Sequence, residues 1–297
     1  MFALRKTVRM RKTASFNWTT SLIANGIVKR EAIEANQPET EEGPEKTIAD
    51  KIKAGVFVVL KNLFGEGQAK VGADLIFSKN VADLYDKAAE YYDRYYIGDF
   101  FTALGISKDI LKEGDVALDI ACGTGLSTLP LLEKFKRVVG LDLSAGMLEK
   151  ANEELKQKGI LNLSFIRGDM TKMPFTDNSF DALTCIGAVF HLPEEQEQNF
   201  AREARRVLRP GGTLLITPEA KIRSKGLNAK VEKTLFRLAN PLVKNKIRFL
   251  DFTPDYTEAM LERAGFETEQ VKIRQWQTEI VVAKKPLSAD ETILVQP

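Results

Sequence analysis

Short apolar segments alternate with segments of helical periodicity through the centre of this 297-residue chain. Strands are predicted over residues 116–121, 137–142, 163–167, 182–187 and 213–217, and helices over about 81–96 and over 127–135, 145–158 and 194–208. Because parallel strands are joined by crossovers that are usually helices, this alternation predicts a parallel sheet with helices on both faces. A helix over 254–264 and closing strands over 267–274 and 278–283 complete a doubly wound α/β sheet of seven strands.

Composition excludes several classes of protein. Hydrophobic content of 44%, charged content of 28% and a net charge of +2 are typical of a soluble globular protein and do not indicate a nucleic-acid binder. Two cysteines, Cys122 and Cys185, and a single histidine argue against a disulfide framework, a structural zinc site and a histidine-rich metal site. The longest near-apolar run, 54–60, is far below the ~20 residues that span a bilayer.

The N-terminal segment is basic. Residues 1–30 contain seven Lys or Arg side chains, interspersed with Ser and Thr, and no acid. This composition is that of an organelle transit peptide, and the alternative is a disordered basic tail. The sequence therefore predicts a plastid or mitochondrial location if the source is eukaryotic, and a cytoplasmic one otherwise. Residues 37–46 are acidic, contain two prolines and are predicted to be a flexible linker.

A glycine turn follows the first predicted strand, in the stretch VALDIACGTGLSTLP over residues 116–130. Gly123 and Gly125 could bring the backbone close to a nucleotide, or could simply form a tight turn. A dinucleotide fingerprint would need a small residue at the position of Thr128, and the Gly-Lys-Ser/Thr of a P-loop is absent from this turn. The glycines alone do not decide between these alternatives.

Three acids lie at or near the ends of three successive predicted strands. Asp119 precedes the glycine turn, Asp142 ends the next strand, and Asp169 followed by Met170 ends the third. A carboxylate at the position of Asp142 can accept both hydroxyls of a ribose. Asp169 can accept a proton from an adenine amino group while Met170 packs on the ring. Three acids favour a positively charged cofactor without phosphates.

The motifs LDIACGTG, GLDLSAGML, GDMTKMPFTDNSFD and EARRVLRPGGTLLI, taken in this order, resemble those of the class I S-adenosylmethionine-dependent methyltransferases. The resemblance covers about 81–285, and LYDKAAEYYDRY is similar to the first helix of quinone and other small-molecule C-methyltransferases. It implies a Rossmann-like methyltransferase sheet, S-adenosyl-L-methionine as cofactor, and a methyltransferase domain over 111–285. A helical extension and cap over 47–110, an insertion over about 218–253 and a tail over 286–297 would surround that domain.

The resemblance also implies cofactor contacts. The first turn would surround the methionyl part, Asp142 and its neighbours the ribose, and Asp169 and Met170 the adenine. Gly187 would border the reacting methyl group, and two tyrosines would close the pocket. The residues implied are Tyr85, Tyr92, Asp119, Ala121, Cys122, Gly123, Gly125, Asp142, Leu143, Met147, Asp169, Met170 and Gly187. Many relatives have glycine at the position of Ala121.

His191 is the candidate catalytic residue, in GAVFHL just after the fourth predicted strand. Methyl transfer needs a base only where the acceptor must lose a proton, and an imidazole titrates near neutrality. The alternatives are that His191 orients the substrate or caps the helix that follows.

The acceptor is expected to be selected by segments outside the sheet, 47–110 and 218–253. Residues 221–248 carry nine Lys or Arg side chains and one acid, Glu232. They are predicted either to contact an anionic membrane surface or to pack over the sheet with a solvated basic face. With the apolar helix over 48–64 they favour a lipophilic acceptor of the quinone, sterol or isoprenoid type. The alternatives are a scaffold or assembly factor that binds the cofactor without catalysis, and methylation of protein or RNA across an extended basic groove.

Overall fold

A seven-stranded mixed sheet in the strand order β3-β2-β1-β4-β5-β7-β6 organises the protein. The computed structural model describes residues 78, 80–94, 110–217, 253–273 and 278–287. The strands are β1 (Gly114–Ile120), β2 (Phe135–Asp142), β3 (Leu163–Arg167), β4 (Phe180–Ile186), β5 (Leu208–Thr217), β6 (Glu267–Ile273) and β7 (Thr278–Lys284). The helices are α1 (Val81–Ala88), α2 (Ala145–Lys158), α3 (Glu194–Val207) and α4 (Pro254–Arg263). The predicted doubly wound α/β class is confirmed.

Strands β1 to β5 are all parallel, whereas β7 is antiparallel to both β5 and β6. The inner strand β1 is buried from Val116 to Ile120 because it is covered on both faces, which explains its nearly continuous apolar run. Its side chains alternate between two cores. Val116 and Leu118 pack with α3 and α4 on one face, and Ala117 packs on the other face with the chain that joins β1 to β2.

Helix α2 has the predicted bounds because both of its ends are set by local signals. The Ser144 hydroxyl accepts the N–H of Met147 at the first turn, and Gly159 ends the helix in a left-handed conformation with φ 64°. Helix α3 has acids in its first turn and Arg205 and Arg206 in its last, which complements the helix dipole.

Three predicted elements differ from the structure. The helix predicted over 127–135 is a short 3₁₀ helix, Leu129–Glu133. The helix predicted over 81–96 is interrupted: α1 ends at Ala88, a turn covers residues 89–91, and residues 92–94 are helical again. Strand β5 begins at Leu208, whereas the sequence predicts its start at residue 213. The strand contains a bulge, with a register shift against β4 and a positive φ of 75° at Gly211, and this bulge lets the strand pairing extend back to Leu208.

Several sequence predictions lie outside the described residues. They are the basic segment and linker of 1–46, the apolar helix over 48–64 and the basic helix over 221–248. Within the described ranges, no helix has the length and apolar character needed to cross a membrane.

Candidate functional site

A cavity of about 1000 Å³ opens at the carboxyl ends of β1, β2 and β4, beneath α1. Most of the residues expected to contact a cofactor line it. These are Tyr85, Tyr92, Ala121, Gly123, Asp142, Leu143, Met147, Asp169, Met170 and Gly187, and His191 lines it as well. Asp119, Cys122 and Gly125 lie outside this lining.

The turn after β1 forms the floor of the cavity. Gly123 has φ 55° and Ala121 has φ 56°, so the chain passes through the left-handed region at both positions. Only Gly123 does so without a steric cost, because Ala121 carries a Cβ. The N–H of Gly123 donates to Oδ2 of Asp142 at 2.8 Å, and this bond ties the turn to the end of β2.

Asp119 supports the turn from below. It is fully buried, and its carboxylate accepts hydrogen bonds from the hydroxyls of Ser127 and Thr128, each at 2.7 Å, and of Thr184 at 2.6 Å. Burial raises the pKa of the Asp119 carboxyl, and these three hydroxyls oppose that shift. Its position therefore joins the glycine turn to β4, and the hydroxyls of Ser127 and Thr128 are not available to cap a helix.

Cys122 and Gly125 also lie behind the cavity wall. Cys122 is buried, and burial raises the pKa of its thiol well above the usual range. A Cβ on Gly125 would come within 2.8 Å of Cζ of Phe165, so the glycine at this position allows the Phe165 ring to pack against the turn.

The carboxylate of Asp142 is held rigidly at the cavity surface. Oδ1 accepts the N–H of Ser144 at 2.8 Å, and Oδ2 accepts that of Gly123 at 2.8 Å. Burial raises the pKa of Asp142, and these two N–H groups oppose that shift. One lone pair on each oxygen is thereby used for positioning, and the other lone pairs could accept two neighbouring hydroxyls.

Asp169 and Met170 line the cavity beyond the end of β3. Both the N–H and the hydroxyl of Thr171 donate to Oδ1 of Asp169 at 2.7 Å, and they fix the orientation of the carboxylate. The N–H of Gly168 donates to the carbonyl of Asp142 at 2.8 Å. The second and third strand-end acids are thus held in one connected piece of backbone.

The end of β4 is open towards the cavity. A Cβ on Gly187 would meet no heavy atom within 4 Å, and its N–H donates to the hydroxyl of Thr217 at 2.7 Å. His191 follows in the 3₁₀ helix Val189–His191, and its Nε2 lies 2.7 Å from the hydroxyl of Tyr85 on α1. Burial lowers the pKa of His191 to about 4, so the imidazole is neutral at physiological pH.

Helix α1 is fastened over the cavity by carboxylates. Oδ1 of Asp86 accepts the Ser144 hydroxyl at 2.5 Å and the N–H of Gly146 at 2.9 Å. Asp93, beyond the helix, accepts the Thr124 hydroxyl at 2.5 Å. These bonds attach the cover to both the turn after β1 and the start of α2.

The cavity extends past the predicted site residues. Its lining also includes residues from two further segments, Asn80 to Ala82 and Leu192 to Gln196. The second segment follows the predicted strand β4 in the sequence, and that position was the only signal that it would lie at the site. The contribution of Asn80 to Ala82 depends on how α1 lies across the sheet, which has no local signature.

Comparison with known proteins agrees with this geometry. A family described as a methyltransferase domain matches residues 117–212. The ubiquinone/menaquinone biosynthesis C-methyltransferase UbiE of Pseudomonas paraeruginosa is 31% identical over 217 residues, which is 64% of this chain and 82% of that protein. The chain belongs to the class I S-adenosylmethionine-dependent methyltransferases. This methyltransferase is also 32% identical to the demethylmenaquinone methyltransferase of Geobacillus stearothermophilus, over 45% of this chain and 60% of that protein.

The fold of the methyltransferase also matches solved structures. A chain in the complex between the Haloferax volcanii Trm112 methyltransferase activator and a methyltransferase has a TM-score of 0.54 and 19% identity. The match covers 68% of this chain and 97% of that chain. At this identity the likeness concerns the fold alone.

The residues of the cavity fit the cofactor of the methyltransferase, S-adenosylmethionine. Asp142 could hold the ribose hydroxyls, Asp169 and Met170 the adenine, and the backbone around Gly123 the methionyl part. The described lining contains four acids, including Glu194 and Glu195, and neither Lys nor Arg. This charge balance suits a cofactor that carries a sulfonium.

Proposed function

We propose that the protein transfers the methyl group of S-adenosylmethionine to a small, uncharged, lipophilic acceptor of the quinone, sterol or isoprenoid type. The observation that carries the proposal is the part of the cavity lining that the expected cofactor contacts do not account for, Asn80 to Ala82 and Leu192 to Gln196. The cavity has a volume of about 1000 Å³. Pockets that hold one drug-sized ligand have volumes of roughly 300–1,000 Å³, so this cavity is at the upper end of that range. The proposal places the acceptor in this same cavity, beside the cofactor.

The charge of the lining supports an uncharged acceptor. Asp142, Asp169, Glu194 and Glu195 are acids, and the described lining contains no Lys or Arg that would pair with a carboxylate or phosphate. An anionic acceptor would be repelled by this excess of acidic side chains. The names of the relatives, a ubiquinone/menaquinone biosynthesis C-methyltransferase and a demethylmenaquinone methyltransferase, support a quinone-type acceptor.

Tyr85 and His191 supply the proton acceptor in this proposal. S-adenosylmethionine, when bound, supplies an electrophilic methyl group. An electron pair of the acceptor forms the new bond to this carbon, and the electron pair of the broken carbon–sulfur bond stays on sulfur. A hydroquinone is made more nucleophilic at ring carbon or oxygen by loss of a hydroxyl proton. Tyr85 would take that proton while its own passes to Nε2 of His191, over the 2.7 Å that separates the two atoms. After this relay Tyr85 is again a neutral phenol, the positive charge is on His191, and the negative charge is on the acceptor oxygen, where it activates the acceptor towards the methyl group.

Alignment of the reactants follows from the rigidity of the surrounding backbone. The peptide of Gly187 is fixed by Thr217, and the position carries no side chain that would fill the open space beside it. Ordered positioning of an acceptor and a methyl donor can account for most of the acceleration of a displacement that needs little acid–base help.

The proposal includes two features that lie outside the described residues. The basic residues of 221–248 would contact an anionic membrane surface, where a lipophilic acceptor is dissolved. In a eukaryotic source, the N-terminal segment would direct the protein to a plastid or mitochondrion.

Transfer of labelled methyl tests the proposal. The full chain is incubated with methyl-labelled S-adenosylmethionine and, separately, with a reduced prenylated naphthoquinone, a sterol, an aromatic carboxylate, a phosphate monoester, a basic peptide and RNA. We expect label in one of the neutral lipophilic acceptors and none in the anions. Label in the carboxylate, the phosphate, the peptide or the RNA, with none in the neutral lipids, would contradict the proposed acceptor class.

A further inference from the structure

The chain that follows Asp169 and Met170 is held by hydrogen bonds to two side chains of α3. Oε2 of Glu203 accepts the N–H of Met173 at 2.6 Å. The guanidinium of Arg206 donates from Nη2 to the carbonyl of Met173 at 3.1 Å, and from Nη1 to the carbonyl of Phe175 at 2.8 Å. Nη1 of Arg206 also pairs with Asp177 at 2.8 Å. Both backbone polar groups of Met173 are therefore held from the same helix.

Glu203 and Arg206 hold each other in a two-point contact. Nε of Arg206 lies 2.7 Å from Oε1 of Glu203, and Nη2 lies 2.8 Å from Oε2. Such a planar, bidentate arrangement fixes direction as well as distance, which a lysine ammonium cannot do. These contacts raise the pKa of Arg206, so its charge is retained throughout the physiological range.

A hydrogen-bonded turn connects Met173, which Glu203 and Arg206 hold, to the cavity. The N–H of Lys172 donates to the carbonyl of Asp169 at 3.1 Å, and the two residues form an isolated antiparallel bridge. Thr171 donates to the Asp169 carboxylate within the same turn. Because so few residues separate Asp169 from Met173, a shift of Met173 must be transmitted to the Asp169 carboxylate.

We propose that Glu203 and Arg206 are positioning residues for the cofactor, which hold Asp169 and Met170 in the geometry that binds the adenine. This inference rests on the assignment of that end of the cavity to adenine, and it does not depend on the identity of the acceptor. It also gives a function to the EARRVLRPGG motif, which lies away from the cavity. Helix α3 reaches the acceptor space with Glu194 and the adenine turn with Arg206, so it sets the distance between the two ends of the site.

A double-mutant cycle tests this inference, with S-adenosylhomocysteine as the probe and isothermal titration calorimetry of the full chain as the readout. Arg206→Gln removes the bidentate donor, and Asp169→Asn changes the adenine contact while keeping an oxygen for Thr171. We expect Arg206→Gln to weaken binding about tenfold in the parent background, and less than about twofold when Asp169→Asn is already present. Equal losses in the two backgrounds, or no loss in either, would overturn the inference.

A matched control separates positioning from general destabilisation. Arg209 forms an ion pair with Asp181, whose carboxylate accepts the N–H groups of Asp115 and Val116 at the opposite end of β1. Arg209→Gln should lower the midpoint of thermal unfolding, as Arg206→Gln does, and leave the dissociation constant within about twofold of the parent. A tenfold loss of affinity in Arg209→Gln would show that destabilisation alone weakens binding.

Arg206→Lys decides the question if Arg206→Gln does not fold. This variant keeps the positive charge, but a lysine cannot donate at once to Glu203 and to the carbonyls of Met173 and Phe175. We therefore expect a folded protein that binds S-adenosylhomocysteine more weakly than the parent. Parent affinity in Arg206→Lys would overturn the inference. Because the titration contains no acceptor, failure of the proposed acceptor class leaves the result unchanged.

Discussion

The hydroxyl oxygen of Tyr85 lies 2.7 Å from Nε2 of His191, although the two residues are 106 positions apart in the chain. Their rings meet edge to face with centroids 5.3 Å apart, and Tyr92 packs edge to face on Tyr85 at 6.0 Å. This contact joins the covering helix α1 to the loop after β4 and places a polar pair at the cavity wall. In the proposed mechanism, the same two side chains therefore serve both the proton transfer and the attachment of α1 to the rest of the site.

The ionisation of His191 can be measured directly because it is the only histidine in the chain. We expect its imidazole NMR signals, followed through a pH titration of the untagged protein, to report a pKa of about 4, because burial disfavours the imidazolium. A midpoint close to 6.5, the value of an exposed histidine, would contradict the burial of the ring and the neutral state assigned to it.

The same shift predicts how stability depends on pH. In the unfolded chain the imidazole titrates near 6.5, so between pH 6.5 and about 4 the unfolded state binds the proton before the folded state does. The free energy of unfolding contributed by this group is complete above pH 6.5 and decreases by up to roughly 3 kcal/mol as the pH falls to 4. Urea titrations should show the free energy of unfolding falling more steeply with decreasing pH in the parent than in His191→Gln over this interval.

Tyr85 and His191 should behave as one unit in turnover. Tyr85→Phe keeps the ring contacts and removes the hydroxyl, so we expect kcat to fall about tenfold or more while the dissociation constant for S-adenosylhomocysteine changes less than about threefold. His191→Gln should give a similar loss, and the double variant no more than the larger single loss. If steady-state assays show that the loss of kcat in the double variant equals the product of the two single losses, the two side chains act independently.

Removal of the Asp119 carboxylate should destabilise the fold from beneath the site. Asp119→Ala leaves the buried hydroxyls of Ser127, Thr128 and Thr184 without their acceptor, and we expect a loss of roughly 3 kcal/mol in the free energy of unfolding. Asp119→Asn retains polar atoms in the same space and should lose less. Chemical denaturation measures both, and an Ala variant as stable as the parent would rule out this supporting role.

Ala121 adopts a backbone conformation that favours glycine, with φ 56°. In Ala121→Gly the relief of that strain offsets the greater flexibility of glycine in the unfolded chain, so the free energy of unfolding should be unchanged or increase by up to about 1 kcal/mol. Ala117→Gly, in the buried interior of β1, is the matched control and should destabilise by about 1–2 kcal/mol. Equal destabilisation by the two substitutions would be inconsistent with strain at Ala121.

The elements that could be predicted from the sequence are those whose boundaries depend on nearby residues. Helix α2 has its predicted bounds because Ser144 and Gly159 set its two ends, and β3 has them because it is a short apolar run next to turn residues. The 3₁₀ helix Leu129–Glu133 could not be predicted, since it depends on Asp119 engaging the hydroxyls of Ser127 and Thr128. Those contacts exist only once β1 is in the sheet.

The same distinction applies to the site. Asp142 and Asp169 could be located from the sequence because parallel strands end at one edge of a sheet. Whether Asp119 lines the cavity or lies beneath it depends on which way its side chain turns from β1, and spacing does not record this. The grip of Arg206 on Met173 depends on the packing of α3 against the segment after β3, so the EARRVLRPGG motif alone did not indicate it.

Isothermal titration calorimetry of the full chain with S-adenosylhomocysteine tests the central claim that this cavity holds the cofactor through Asp142. Asp142→Ala removes both oxygens proposed to accept the ribose hydroxyls, and Asp115→Ala, at the exposed start of β1, is the control. We predict micromolar or tighter binding by the parent and by Asp115→Ala, and binding at least about a hundredfold weaker by Asp142→Ala. Parent-like binding by a folded Asp142→Ala variant, or no binding by the parent, would contradict the account.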